Sequence, residues 1–260
     1  MRAHWPEYLA EAMGLGTFLF IACVLGTLLG HPDSLVVHIV PSPLVRRMLM
    51  GLAMGLTAVS LIYSPWGRRS GAHFNPATTL TFWRLGKVAN ADAGAYAIAQ
   101  AIGGLTGVAL AALVVGPALG HPAVRYVTTV PGSAGVVVAF LAEMAITFLL
   151  MTVVLRVSNT ASLERFTGVA AGALVALYIT LEAPLSGMSM NPARSLASAV
   201  PAGTWDALWI YIVAPPIGML VAAELYSRRR GLQGIHCAKL NHGQAGQCIF
   251  RCRHAEMVGR

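Results

Sequence analysis

Six apolar runs, at residues 8–30, 44–64, 93–115, 135–156, 167–184 and 205–227, fill most of this 260-residue chain and are parted only by short polar breaks. About 20 residues at ~1.5 Å rise cover a ~30 Å hydrocarbon core, so all six can cross a bilayer, although the fifth is short. Composition points the same way. Only 11% of the residues are charged and 56% are hydrophobic, against about 25% charged in ordinary soluble domains. A water-exposed globular surface cannot be assembled from such a chain, which excludes most soluble enzymes. The first run starts near Tyr8 and is longer than the apolar part of a signal peptide, so it is expected to remain as a span.

The formal charge of +8 would ordinarily raise a nucleic-acid partner. Position argues against it. Alternation through six spans assigns fourteen basic residues to one face, including Arg2, Arg68, Arg69, Arg84, Lys87, Arg228, Arg229, Arg230 and Arg260. The other face receives only Arg46, Arg47, Arg125 and Arg194. Positive charge collects on the cytoplasmic side, so both termini are expected there, in the plasma (inner) membrane. The basic residues then contact anionic lipid rather than nucleic acid. Four cysteines, three of them in the last 30 residues, do not make a secreted disulfide scaffold.

The chain repeats itself. Glu11 in span 1 and the run Ser70-Gly71-Ala72-His73-Phe74-Asn75-Pro76-Ala77 after span 2 are matched by Glu143 in span 4 and Ser186-Gly187-Met188-Ser189-Met190-Asn191-Pro192-Ala193 after span 5. Each half, about 8–115 and about 135–227, holds three crossings. An odd number forces the halves into opposite orientations, and inverted repeats place their functional site near the midplane where the halves meet. Two apolar stretches, 74–83 and 190–200, are too short to cross and too apolar for ordinary loops, which suits re-entrant segments.

Each of these stretches is opened by Asn-Pro-Ala. Asn is among the best N-cap residues and Pro is favoured at the first helical position, so Asn75-Pro76-Ala77 and Asn191-Pro192-Ala193 read as starts of short helices. In opposed halves the two short helices enter from opposite faces and meet by their N-termini. Irregular backbone at that depth is tolerated where it is buried in protein or lines a water-filled cavity, which implies a pore. Two N-termini bring together two partial positive charges of about half an elementary charge each. Cations and hydronium are repelled, while a neutral molecule with a lone pair is accepted and hydrogen-bonded by the two amides. A single Asn-Pro would most simply mark a kink or turn. The matched pair in an inverted repeat favours the pore.

These residues resemble the two signature loops of the major intrinsic protein family, the aquaporins and aquaglyceroporins, over residues 8–227. The resemblance implies an all-α membrane protein with six transmembrane helices and two re-entrant half-helices in an inverted repeat, assembled as a homotetramer with one pore per subunit. It identifies Arg194 as the arginine of the aromatic/arginine constriction, with Met54, Ile179 and Met188 at the remaining positions. Met54 needs a one-residue insertion, and ungapped counting gives Gly55. Water-selective members place an aromatic and a His where Met54 and Ile179 stand, and glycerol channels carry an Asp where Ser195 stands. The resemblance therefore implies a channel for water, with small neutral solutes such as glycerol as further cargo and ions excluded. It also makes Glu11 and Glu143 braces for the re-entrant loops rather than a proton relay. His73 reads as a loop brace or pore-lining group, and Glu182 as a helix-end charge at the outer interface. Small residues Gly103, Gly104 and Gly107, and Gly168 with Gly172, suit close helix packing.

Beyond the channel domain, 1–227, the tail 228–260 is polar and cytoplasmic, and no span is found in it. Cys237, His242, Cys248, Cys252 and His254 offer enough soft ligands for a zinc ion, but the spacing is not that of a Cys-x2-Cys knuckle. The expectation is therefore an unstructured, reduced tail anchored by Arg228-Arg229-Arg230 and holding no metal, with metal binding or a redox-responsive gate as the alternative. No nucleophile, phosphate loop or acid/base pair marks an enzyme. Two other functions fit parts of the pattern: a secondary transporter, which also uses inverted repeats and broken helices, and a metal- or redox-sensing membrane protein acting through the tail.

Overall fold

The computed structural model describes residues 4–242 and 248–259. Arg2 and Arg260, counted above among the basic residues of one face, lie outside the described residues. Eight helices form the body of the molecule: α1 (Trp5–Gly30), α2 (Pro43–Tyr63), α3 (Pro76–Arg84), α4 (Asn90–Val115), α5 (Val136–Ser158), α6 (Thr167–Leu181), α7 (Pro192–Ala202) and α8 (Leu208–Arg230). No strand occurs among the described residues. Six of the helices are long and apolar enough to span, and α3 and α7 are the two short ones. Every element lies within three residues of the boundary expected from the apolar pattern.

Local chemistry accounts for several of these boundaries. Ser42 caps α2 by accepting from Val45 N, with Pro43 at the first helical position. Asn75 caps α3 by accepting from Ala77 N, and Asn191 caps α7 by accepting from Ala193 N and Arg194 N. Each span leaves more than half of its side chains unburied, including Leu113, Val114 and Val137. Those faces are apolar. In water they would be a liability, whereas lipid covers them at no cost.

The repeat is visible in the packing. Helix α1 lies on α4 as α5 lies on α8, and α2 crosses its own counterpart α6. The crossing depends on two glycines facing each other. A Cβ on Gly55 would stand 2.6 Å from Gly172 O, and one on Gly172 would stand 2.6 Å from Gly55 O. Backbone therefore touches backbone there, the close approach that small residues permit between membrane helices. Each half-helix also packs on a span of the opposite half, α3 on α8 and α7 on α4. That exchange locks the halves together around the midplane.

An expectation at the end of α6 is overturned. Glu182 is not an exposed helix-end charge but is buried where α6 gives way to the short helix Ala183–Ser186. The chain turns inward at this point to begin the second re-entrant loop, carrying the carboxylate with it.

Candidate functional site

Helices α3 and α7 touch at their N-termini, and the two capping asparagines connect them. Asn75 Nδ2 donates to Met190 O at 2.7 Å, and Asn191 Nδ2 donates to Phe74 O at 2.7 Å. Each side-chain oxygen is meanwhile engaged as a cap. A carboxamide has two N–H donors. Each asparagine thus spends one on the opposite loop and keeps the other. Both side chains line a single cavity of about 510 Å³.

The loops leading to these asparagines adopt one conformation twice. Gly71, Ala72 and Phe74 have φ of 95°, 58° and 47°, and Gly187, Met188 and Met190 have φ of 82°, 54° and 56°. Left-handed backbone at non-glycine residues costs of order 1–3 kcal/mol each and persists only where the surroundings fix it. The buried glutamates do the fixing. Glu11 accepts from Ser70 Oγ at 2.6 Å, His73 N at 3.0 Å, Phe74 N at 2.6 Å and Gln100 Nε2 at 2.6 Å. Glu143 accepts from Ser186 Oγ at 2.8 Å, Ser189 N at 2.6 Å and Met190 N at 2.8 Å. A carboxylate is all acceptor, so it can satisfy several loop donors that the left-handed turns leave pointing inward. Tyr96 and Tyr211 complete the brace by donating to Ser70 O at 2.7 Å and Ser186 O at 2.5 Å. Sequence reasoning did not single out the two tyrosines as braces. Their signal was positional, since Tyr96 follows Asn75 by 21 residues and Tyr211 follows Asn191 by 20.

Met54, Ile179, Met188 and Arg194 all line the same cavity as the asparagines. Of the two positions that counting leaves open, Met54 faces the cavity while Gly55 faces α6. Arg194 donates from Nη1 to Val127 O at 2.8 Å, so a loop carbonyl helps to hold the guanidinium beside the cavity. Ser195 points elsewhere. It is buried within hydrogen-bond distance of Thr129 Oγ1 and Ser189 Oγ, both at 2.6 Å, behind the loop wall.

His73 does not line the cavity only. Its Nδ1 lies 3.0 Å from Thr79 Oγ1, and its Nε2 lies 2.9 Å from Ala238 O. A carbonyl only accepts, so Nε2 carries the proton in this pairing. The ring also stacks on Phe82 and on Phe250, with centroids 5.3 Å away in both cases. Ala238 and Phe250 belong to the tail. The described tail is therefore packed against the channel rather than unstructured, with Ile235, Cys237, Ala238, Leu240 and Phe250 buried in one core with Phe82, Tyr96 and Met219. Backbone bonds join Leu240 N to Gly71 O at 3.0 Å and Arg251 N to Lys87 O at 3.0 Å. His236 N donates to Asn159 Oδ1 at 2.7 Å and Lys239 Nζ to Arg68 O at 2.8 Å. Leu240 itself lines the same cavity as the two asparagines.

Within the tail, the Sγ atoms of Cys237, Cys248 and Cys252 and a ring nitrogen of His242 all lie within 4.8 Å of one another. Burial, with His254 and Lys239 nearby, pushes the His242 imidazole down to about 4, so it is neutral near pH 7. His254, grouped with these residues on sequence grounds, stands outside the cluster. It opens the helix His254–Val258, lies 2.6 Å from Glu164 Oε2, and stacks on the His242 ring at 3.8 Å.

Comparison with known proteins bears on the whole arrangement. The family model described as major intrinsic protein matches residues 2–226. The chain is 34% identical over 231 residues to aquaporin NIP1-2 of Arabidopsis thaliana, covering 86% of this chain and 74% of that one. It is 32% identical over 223 residues to nodulin-26 of Glycine max, covering 85% of this chain and 76% of that one. Among solved structures, the X-ray structure of the aquaglyceroporin from Plasmodium falciparum superposes with a TM-score of 0.70 at 21% identity, covering 86% of this chain and 96% of the other. The tail core lies beyond the residues that the family model matches.

Proposed function

The chain belongs to the major intrinsic protein family, whose members are membrane channels and not enzymes, and from that premise we propose that it conducts water and small neutral solutes such as glycerol while excluding ions and protons. One observation carries the reading: the two capped half-helices meet N-terminus to N-terminus, cross-linked through their asparagines, beside a cavity that Arg194 also lines. Both helix dipoles and the guanidinium present positive potential to that cavity, which raises the energy of any cation there. The spare amide N–H of each asparagine offers a hydrogen bond to a passing oxygen. A water that accepts from both cannot also relay a proton through that point. The apolar Met54, Ile179 and Met188 set the width, and a flexible thioether adapts to solutes larger than water.

The relatives called aquaporin and the structural neighbour called aquaglyceroporin support water and glycerol as the cargo. In this reading the face rich in Lys and Arg is cytoplasmic, the termini lie on that side of a plasma (inner) membrane, and four copies assemble with one pore each.

Stopped-flow shrinkage of proteoliposomes tests the proposal. We expect fast osmotic water flux with a low activation energy, measurable glycerol flux and no response to an imposed proton gradient. Saturable uptake driven by the gradient would replace the channel with a secondary transporter.

A further inference from the structure

We propose that Cys237, His242, Cys248 and Cys252 form a zinc site that clamps the tail over the pore mouth on the side of the termini. The permeability part of this inference rests on the channel reading given above, whereas the metal site stands on its own geometry.

The ligand set is the first ground. Three thiols and an imidazole are the donors of a closed, four-coordinate Cys3His zinc centre. Cys237 Sγ is 3.5 Å from Cys248 Sγ, and Cys252 Sγ is 3.5 Å from His242 Nε2. Bond lengths of about 2.3 Å to sulfur and 2.0–2.1 Å to nitrogen put the edges of a tetrahedral site at about 3.6–3.8 Å. Two edges are thus already in place. No ligand-atom separation exceeds 4.8 Å, so the remaining edges need to close by at most about 1 Å to reach the same length. Three thiolates and a neutral imidazole on one zinc ion leave one net negative charge on the centre, with any remaining thiol protons released to solvent. Lys87 Nζ donates to Arg251 O, the residue before Cys252, and so brings an ammonium group beside the cluster to oppose that charge.

The second ground is what the cluster holds together. Its members span residues 237–252 of the tail, and between Cys237 and His242 the chain presents Ala238 to His73 and Leu240 to the cavity. Phe250, between two of the ligands, stacks on the His73 ring. The tail's apolar contribution to the core is only a few side chains, Ile235, Ala238, Leu240 and Phe250 among them, and small folds commonly add a metal to offset the cost of ordering. Bound zinc would hold the Leu240 backbone on Gly71, with an apolar side chain across the water path. Release of zinc frees the segment and opens the mouth.

The test uses the full chain purified at neutral pH and loaded with zinc alone, then desalted. About one zinc per chain is expected in the parent, with at least a tenfold lower ratio in Cys248→Ser/Cys252→Ser. Cobalt in place of zinc should give the visible band of tetrahedral cobalt–thiolate coordination. A parent that retains no zinc, retains it equally in the variant, or loses its free thiols to a Cys237–Cys248 disulfide under the same conditions overturns the site. In proteoliposomes, chelating zinc should raise water permeability several-fold. Leu240→Ala should raise it with zinc still bound. Permeability unchanged by both, in a parent that conducts, overturns the clamp. If neither the parent nor either opened form conducts above empty vesicles, the channel reading fails, and the zinc ratio still decides the site.

Discussion

Arg194 is the residue whose placement says most about selection. Its guanidinium is always charged, and it stands beside the cavity with a loop carbonyl as partner. Arg194→Val should therefore raise the glycerol-to-water permeability ratio by removing both bulk and charge, as read by swelling in iso-osmotic glycerol. Ile179→His adds a hydrogen-bonding ring at the cavity wall and should move the ratio the other way. An unchanged ratio in both would mean that the narrowest point lies elsewhere. Glu143 belongs to a different kind of residue, one that acts through the loop it holds. In Glu143→Gln one oxygen becomes an amide donor facing Ser189 N–H or Met190 N–H, so a buried donor loses its acceptor. That costs roughly 1–3 kcal/mol. A lower midpoint of thermal unfolding in detergent is expected, and Glu11→Gln should behave alike because His73 N and Phe74 N face its carboxylate in the same way.

At the scale of the helix, glycine positions divide into two kinds. Gly55 and Gly172 form the α2–α6 crossing, and any side chain there meets backbone that has nowhere to move. Gly55→Leu should cost at least the 1–3 kcal/mol typical of overpacking, seen as loss of monodisperse protein on size-exclusion chromatography. Gly94 in α4 has nothing within 4 Å of an added Cβ. Gly94→Ala should leave folding intact and stabilise the helix slightly, since Ala is the better helix former by about 1 kcal/mol. The apolar runs and the Asn-Pro caps made the spans and half-helices legible in advance, because a bilayer demands internally satisfied backbone and a half-helix needs a capped start. The tyrosine braces were legible only as a matched spacing after the two asparagines. Nothing within α4 or α8 says that an aromatic hydroxyl will reach a loop carbonyl across the bundle.

For the whole molecule, the inverted repeat is the organising fact: two halves exchange half-helices, and each loop rests on a glutamate from its own half. The spans leave apolar side chains unburied, and in the four-copy reading proposed above some of them pack against neighbouring copies. Light scattering of the purified protein, corrected for detergent, should report four chains per particle. A monomer would restrict the apolar faces to lipid contact.

The amino-acid sequence alone determined the solvent, the six crossings, the inversion of the halves and the pairing of Asn75 with Asn191. These follow from hydropathy, parity and capping, which are local or countable. Tertiary structure decided that Met54 rather than Gly55 faces the cavity, that Glu182 is buried, that His254 pairs with Glu164, and that the tail closes its cysteines around His242 against His73. Each of those depends on contacts between residues far apart in the chain, whose geometry exists only after the helices have packed.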